Sequence, residues 1–371
     1  MKDKIWLSSP HLTGEEQKYV KEAFDTNWVA PLGPNVNGLE EDICTYTGAK
    51  ACSALSSGTA AIHLALILLG IEENDEVLCS TFTFSATVNP IRYQKAIPIF
   101  VDSERDTWNM SPELLEEAIK DRMTNHKKPK AILLVHLYGM PSKMKEIIEI
   151  ANKYEIPIIE DAAEAIGATY NGKAMGTFGE IGVFSFNGNK IITTSGGGAL
   201  VSDNSEYIKK ATFLATQARD HAAHYQHSEI GYNYRMSNIL AGIGRGQLEV
   251  LNDRVEARRK NFNIYKTELA NINEISFVNE LEGFYANRWL TTIITDSFET
   301  REKIRLALEK ENIESRPLWK PMHLQPVFKK FPKYTNGVSE DLFNKGLCLP
   351  SGSNLSRDGI NRVINSIKLF F

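Results

Sequence analysis

From about residue 50 to residue 202 the chain alternates short apolar runs with stretches of helical period. The runs are Ala51–Leu55, Glu76–Ser80, Ile97–Val101, Ala131–His136, Pro157–Glu160, Gly182–Phe186 and Gly198–Ser202. They are continuous rather than alternating, the pattern of strands buried on both faces. Helical signals fill several gaps. Ser111 reads as an N-cap with Pro112 at the first helical position, followed by Leu114, Leu115, Ala118 and Ile119. Met144, Ile147, Ile148 and Ala151 repeat at i, i+3, i+4 and i+7, one face of an amphipathic helix. The pattern predicts an α/β fold with a mostly parallel, seven-stranded sheet between helices.

Beyond this region the pattern thins. Residues 237–266 read as a long, charged helical connector. A strand at Leu290–Thr295, a helix near Glu299–Glu311 and a strand at Cys348–Pro350 follow. A last helix carries Ile360, Val363, Ile364 and Ile367 on one stripe. With 371 residues the chain is too long for one small core. The expected division is a large domain over 1–250, including an N-terminal segment, and a smaller α+β domain over 251–371.

Composition narrows the classes. A net charge of -4 gives no reason to expect nucleic acid or an anionic membrane as partner. The basic run His126–Lys130 is short and reads as a solvated loop. No apolar segment follows the N-terminal charges, and no stretch is long enough to span a bilayer. Cys44, Cys52, Cys79 and Cys348 show no CxxC spacing, and three of them sit in or beside apolar runs. Buried free thiols and a cytoplasmic location are therefore expected. His221, His224 and His227 form an HxxHxxH string, but no carboxylate or cysteine joins them at ligand spacing. No metal site is expected there.

The chemistry concentrates in three places. An apolar strand ends in Phe184-Ser185-Phe186 and delivers Lys190 onto a polar loop closed by Gly196-Gly197-Gly198. Such a loop keeps an amine reachable by an aldehyde. Asp161 follows Pro157-Ile158-Ile159-Glu160 and should project from the carboxyl end of a buried strand, the edge where open α/β sheets bind ligands. Ser57-Gly58-Thr59 follows a strand and opens a helix, where free N–H groups and the helix dipole favour a phosphate. Each alone has a plainer reading: a surface lysine, an N-cap aspartate, a capped helix start. Together they are the fixtures that pyridoxal phosphate needs: a nucleophilic lysine, a carboxylate for the ring nitrogen and an anion site. Phe84 is expected to stack on the ring and Phe82 to pack in the core.

These residues resemble a known family. Phe184-Ser185-Phe186 with Lys190, Glu160-Asp161-Ala162-Ala163-Glu164-Ala165, Gly231-Tyr232-Asn233-Tyr234-Arg235-Met236 and Lys320-Pro321-Met322-His323-Leu324-Gln325 together look like the DegT/StrS family of nucleotide-sugar aminotransferases. The resemblance spans nearly the whole chain and implies the fold-type I aminotransferase architecture. It also implies roles: Lys190 as the Schiff-base lysine, Asp161 at the ring nitrogen, Glu164 at the cofactor's 3-hydroxyl, and Ser185, Gly58 and Thr59 at its phosphate. Asn233 would reach the cofactor phosphate of a second copy, so the active sites of a homodimer would be shared. Some relatives carry histidine in place of the lysine and are dehydratases; lysine here implies transamination. Within the family the match implies transfer from L-glutamate to C4 of a UDP-2-acetamido-4-keto-2,6-dideoxyhexose in surface-polysaccharide synthesis. For that substrate, Arg316, Lys320 and His323 offer cations, Trp319 an aromatic cover, and Trp28 an entrance loop. Two other readings share the fold: a pyridoxal phosphate enzyme acting on amino acids, and a non-catalytic sugar-sensing regulator.

Overall fold

The computed structural model describes residues 2–371. The large sheet runs in the order Ala51–Leu55, Gly198–Ser202, Ile181–Ser185, Ile158–Asp161, Ala131–Val135, Glu76–Ser80, Ile97–Val101, Lys333–Tyr334. Gly198–Ser202 is antiparallel to both neighbours, and the remaining pairs are parallel. All seven expected strands are present, but the sheet has eight. The added strand is two residues long, pairs with Phe100 and Val101, and has no apolar run to announce it. The continuous runs have the expected cause. Leu78, Ile99, Ile132 and Phe184 pack on one face, whereas Val77, Phe100, Leu133 and Val183 pack on the other, all fully buried.

Helices cover both faces. Ser111 caps Pro112–Asn125, its hydroxyl accepting from the Leu114 N–H at 3.2 Å. Met144, Ile147 and Ala151 are the buried stripe of Met144–Tyr154. The connector is two helices, Asn238–Glu249 and Leu251–Glu268, parted at Val250 (φ −114, ψ 13). No glycine or proline marks that break, so the sequence reads as one helix.

A second sheet, ordered Ile275–Phe277, Thr291–Thr295, Gly346–Leu349, Arg316–Pro317, is antiparallel throughout. Ile293, Ile304, Leu308, Leu347 and Leu349 form its core with Ile360, Val363, Ile364 and Ile367 of the last helix, Arg357–Lys368. Two elements cross the expected division at residue 250. Ile5 joins the second core and bridges to Ile313, while Lys333–Tyr334 belongs to the large sheet. No helix among the described residues is long and apolar enough to cross a membrane.

The strand leading to Lys190 lies tight against neighbouring backbone. A Cβ on Gly182, in that strand, would sit 1.8 Å from the Gly176 carbonyl oxygen. Backbone cannot yield as a side chain can, so Gly182→Ala is expected to destabilise the fold by about 3 kcal/mol. Urea unfolding of the variant against the natural protein measures this.

Candidate active site

The carboxyl ends of three adjacent parallel strands, Ala131–Val135, Ile158–Asp161 and Ile181–Ser185, face the start of helix Gly58–Leu68 across a cavity of about 250 Å³. Val135, Asp161 and Ser185 line it from the strands, and Ser57, Gly58 and Thr59 from the helix start. Asn187, Asn189, Lys190, Gly196 and Gly197 line it from the loop after the third strand.

The helix start is built for an anion. The Ser57 hydroxyl accepts from the Ala60 N–H at 3.0 Å, so the cap occupies one donor. The N–H groups of the first turn have no intrahelical partner and present the positive end of the helix dipole. The strand after the lysine loop reaches this turn because residue 198 is glycine: a Cβ there would sit 2.4 Å from Gly58 N. Ser185 lies against the same turn, its Cβ 3.0 Å from where a Gly58 Cβ would be.

The acid is built for a buried cation. Asp161 is 5% exposed; Oδ2 accepts from Thr87 Oγ1 at 2.7 Å and Oδ1 from the Ala163 N–H at 3.1 Å. Burial pushes its carboxyl above the usual range, and the two hydrogen bonds and Lys190 only partly offset this. Glu164 is likewise buried and raised, by desolvation first, with Lys190 opposing. Its Oε2 accepts from the Tyr138 N–H at 2.7 Å, and its Oε1 lies 3.5 Å from Lys190 Nζ. Glu160, beside Asp161 in the chain, has the opposite fate. It is fully buried too, but His136 and the N–H groups of Gly176 and Gly179 reverse the effect of burial and hold it below the usual range.

This donor set fits pyridoxal phosphate. An amine, a buried acid with no cation at full bonding distance among the described residues, and a helix start suited to an anion open on one cavity. Lys190 would hold the aldehyde carbon, Asp161 the ring nitrogen, and Ser185 with Gly58 and Thr59 the phosphate. When bound, the group supplies an electron-withdrawing ring that stabilises charge on a neighbouring carbon.

The raised carboxyl has a testable consequence in protein without cofactor. A folded-state value above the unfolded one means the neutral acid is favoured in the fold. The cost of the buried charge is absent below the unfolded value of about 4 and grows as pH rises through the folded value. Asp161→Asn should therefore melt at a higher temperature than the natural protein near neutral pH. The difference should vanish at about pH 4, as read by thermal shift across pH.

The remaining expected site residues divide. Phe84 lines the mouth, 53% exposed, and leans on Trp319 with centroids 5.3 Å apart; Phe82 is in the core. Of the cation-rich segment Arg316–His323, Trp319 reaches the cavity. His323 does not: its ring is buried, with Nδ1 bonded to Thr81 Oγ1 at 2.7 Å and Nε2 to Glu340 at 3.0 Å. Arg316 is exposed on the second sheet and pairs with Glu314 at 2.8 Å, and Lys320 is exposed outside the cavity lining. Trp28 lies at the surface, its carbonyl accepting from Asn238 Nδ2 at 3.0 Å. Asn233 is exposed on a segment bridged to Thr216, away from the cavity of its own chain. The three histidines of the HxxHxxH string lie on an exposed loop, where His227 Nδ1 meets the Gln217 carbonyl at 2.9 Å.

Sequence reasoning missed Thr87, Tyr138 and Trp289. Thr87 lies seven residues past the end of strand Glu76–Ser80 and was legible as a hydroxyl near a strand end. Tyr138 and Trp289 carried no local signal, since each looks like an ordinary core aromatic.

A large, mostly parallel sheet with a lysine, an acid and an anion turn at its carboxyl edge defines a fold-type I enzyme of the pyridoxal phosphate class. The model of the DegT/DnrJ/EryC1/StrS aminotransferase family matches residues 10–368, and the chain belongs to that family. It is a pyridoxal phosphate-dependent aminotransferase. EpsN of Bacillus subtilis (strain 168) is 55% identical over 375 residues, covering 100% of this chain and 97% of EpsN. The GDP-perosamine synthase of Escherichia coli O157:H7 is 40% identical over 369 residues, 99% of this chain and 98% of the relative. Among solved structures, the PLP-form of Spr1654 from Streptococcus pneumoniae matches with a TM-score of 0.92 at 26% identity. It covers 99% of this chain and 98% of that one. The same protein is solved in a PMP-form.

Proposed function

We propose that this aminotransferase moves an amino group from L-glutamate to C4 of a nucleotide-linked 4-keto-6-deoxy sugar. In the first of two acceptor readings this is a UDP-2-acetamido-4-keto-2,6-dideoxyhexose, and the product enters surface-polysaccharide synthesis in the cytoplasm. The observation that carries the chemistry is the single cavity shared by Lys190, Asp161 and the Ser57–Thr59 turn. Lys190 Nζ takes the proton from the donor carbon bearing the amine and later returns one at C4 of the sugar. Asp161 would hold a positive charge on the cofactor's ring nitrogen, and Glu164 would contact its 3-hydroxyl. Glutamate leaves as 2-oxoglutarate before the sugar enters, so the kinetics are ping-pong. At the mouth, the tilted pair Phe84 and Trp319 offers apolar faces to a sugar or base.

The exposed Asn233 supports a homodimer in which this residue serves the second copy's cavity. Tyr232 and Tyr234 on either side of it are stacked at 4.9 Å and fix the segment that presents it. A second acceptor reading, a GDP-linked sugar, is favoured by the 40% identity to a GDP-perosamine synthase. Supplying UDP- and GDP-linked 4-keto-6-deoxy sugars separately with glutamate, and identifying the products by mass spectrometry and NMR, tests both. Amination of the UDP-linked acetamido sugar supports the first reading. Amination confined to the GDP-linked sugar replaces it with the second, and 2-oxoglutarate formed with neither removes both.

A further inference from the structure

We propose that Trp289 is a positioning residue for Lys190: its indole face is the seat of the lysine's free amine. The proposal rests on reading Lys190 as the cofactor-binding lysine. Lys190 Nζ lies 4.0 Å from the centre of the Trp289 ring. The nearest carboxylate oxygen, on Glu164, is 3.5 Å away, too far for a strong hydrogen bond. The amine is thus held laterally by a π face and loosely by a carboxylate. A tight lysine–glutamate bond would have to break before the amine reacted, whereas a face restrains its place without a directed hydrogen bond that must first be broken.

The seat is fastened to the loop that carries the lysine. Trp289 is 1% exposed, and its Nε1–H donates to the carbonyl of Asn189 at 2.8 Å. Ser8 Oγ donates to the same carbonyl at 2.7 Å. Arg258, buried with no carboxylate within salt-bridge distance among the described residues, donates to the Trp289 carbonyl at 2.5 Å and to Ser8 Oγ at 3.0 Å. Tyr138 stacks with the indole, centroids 6.3 Å apart and planes 20° apart. The Tyr138 N–H donates to the same Glu164 that neighbours the amine. Amine, indole, phenol ring and carboxylate close a circuit in which moving one member moves the others. Tyr138 holds a φ of 53°, a left-handed conformation that a bulky residue keeps only where its surroundings over-determine it. The circuit supplies those surroundings. The N-terminal segment and the region before strand Thr291–Thr295 therefore set the lysine's position, although both lie outside the large sheet's own strands.

The test follows covalent attachment rather than turnover. Full-length protein is stripped of cofactor and mixed with pyridoxal phosphate. Samples are quenched with borohydride at intervals, and the peptide containing Lys190 is quantified by mass spectrometry. Displacing a reacting atom by an ångström costs on the order of 10²-fold, and Trp289→Leu should slow attachment by about that factor. Affinity for pyridoxine 5′-phosphate, which has no aldehyde to attach, should change less than about threefold, because the phosphate site is untouched. Trp289→Phe keeps a weaker face and should be about fivefold slower than the natural protein. Attachment by Trp289→Leu at the natural rate would overturn the proposal. So would equal losses of rate and of analogue affinity, which mark general disruption. Should the leucine variant not fold, the phenylalanine variant decides, and a natural rate there overturns it as well. If the attached peptide does not contain Lys190, the reading beneath the proposal fails, and the two failures are told apart by that peptide.

Discussion

Lys190→Ala should reduce aminotransfer by at least about 10³-fold. The size follows from a double role. The same nitrogen anchors the cofactor and moves the proton between carbons, and neither neighbouring group can substitute. Glu164 is buried with its carboxyl raised, and Asp161 is committed to Thr87 and the Ala163 N–H. The fold should survive, because Lys190 contributes a 3.5 Å contact and a π contact on a loop rather than a core side chain. Pyridoxal phosphate should still bind non-covalently through the helix start, and borohydride should no longer fix it. Steady-state rates with glutamate, a melting curve and the retained radioactivity or mass after reduction check the three parts. A variant that keeps even a tenth of its activity would contradict the assignment.

The second large effect is expected from Asp161→Asn, a loss of about 10²- to 10³-fold in turnover. An asparagine cannot hold a positive charge on the ring nitrogen, so the ring withdraws electrons less. The same change removes a buried carboxylate whose charge the fold disfavours, so the cofactor-free variant should be more stable near neutral pH. Loss of activity with a gain in stability is the signature of a residue kept for function. A parallel loss of both would mean that Asp161 serves the fold instead.

Much of this was legible in the chain because strands buried on both faces are mostly apolar, with exceptions such as Ser53 and Glu160. The seven apolar runs therefore marked seven strands within a residue or so. The eighth, Lys333–Tyr334, pairs through backbone alone with Phe100 and Val101, and backbone pairing leaves no trace in side-chain pattern. The break at Val250 escaped for a similar reason: no breaking residue marks it, and the buried Leu251 and Val255 beyond it read equally well as one continuing helix. At the site, Lys190, Asp161 and the Ser57–Thr59 turn were readable because each sits where a strand meets a loop or a helix begins. Trp289 and Tyr138 were not, because their meaning lies in contacts between distant segments: Tyr138 with Trp319 at 6.1 Å, and Trp289 with Lys190. The charge of the segment Arg316–His323 suggests phosphate binding; it does not announce that His323 bonds to Thr81 and Glu340, or that Arg316 pairs with Glu314.

The central claim is tested most directly by reducing the natural protein, loaded with pyridoxal phosphate, with borohydride and locating the label by tandem mass spectrometry of its peptides. A phosphopyridoxyl group on Lys190 and on no other lysine is the result predicted. A label on a different lysine, or none after full loading, would contradict it.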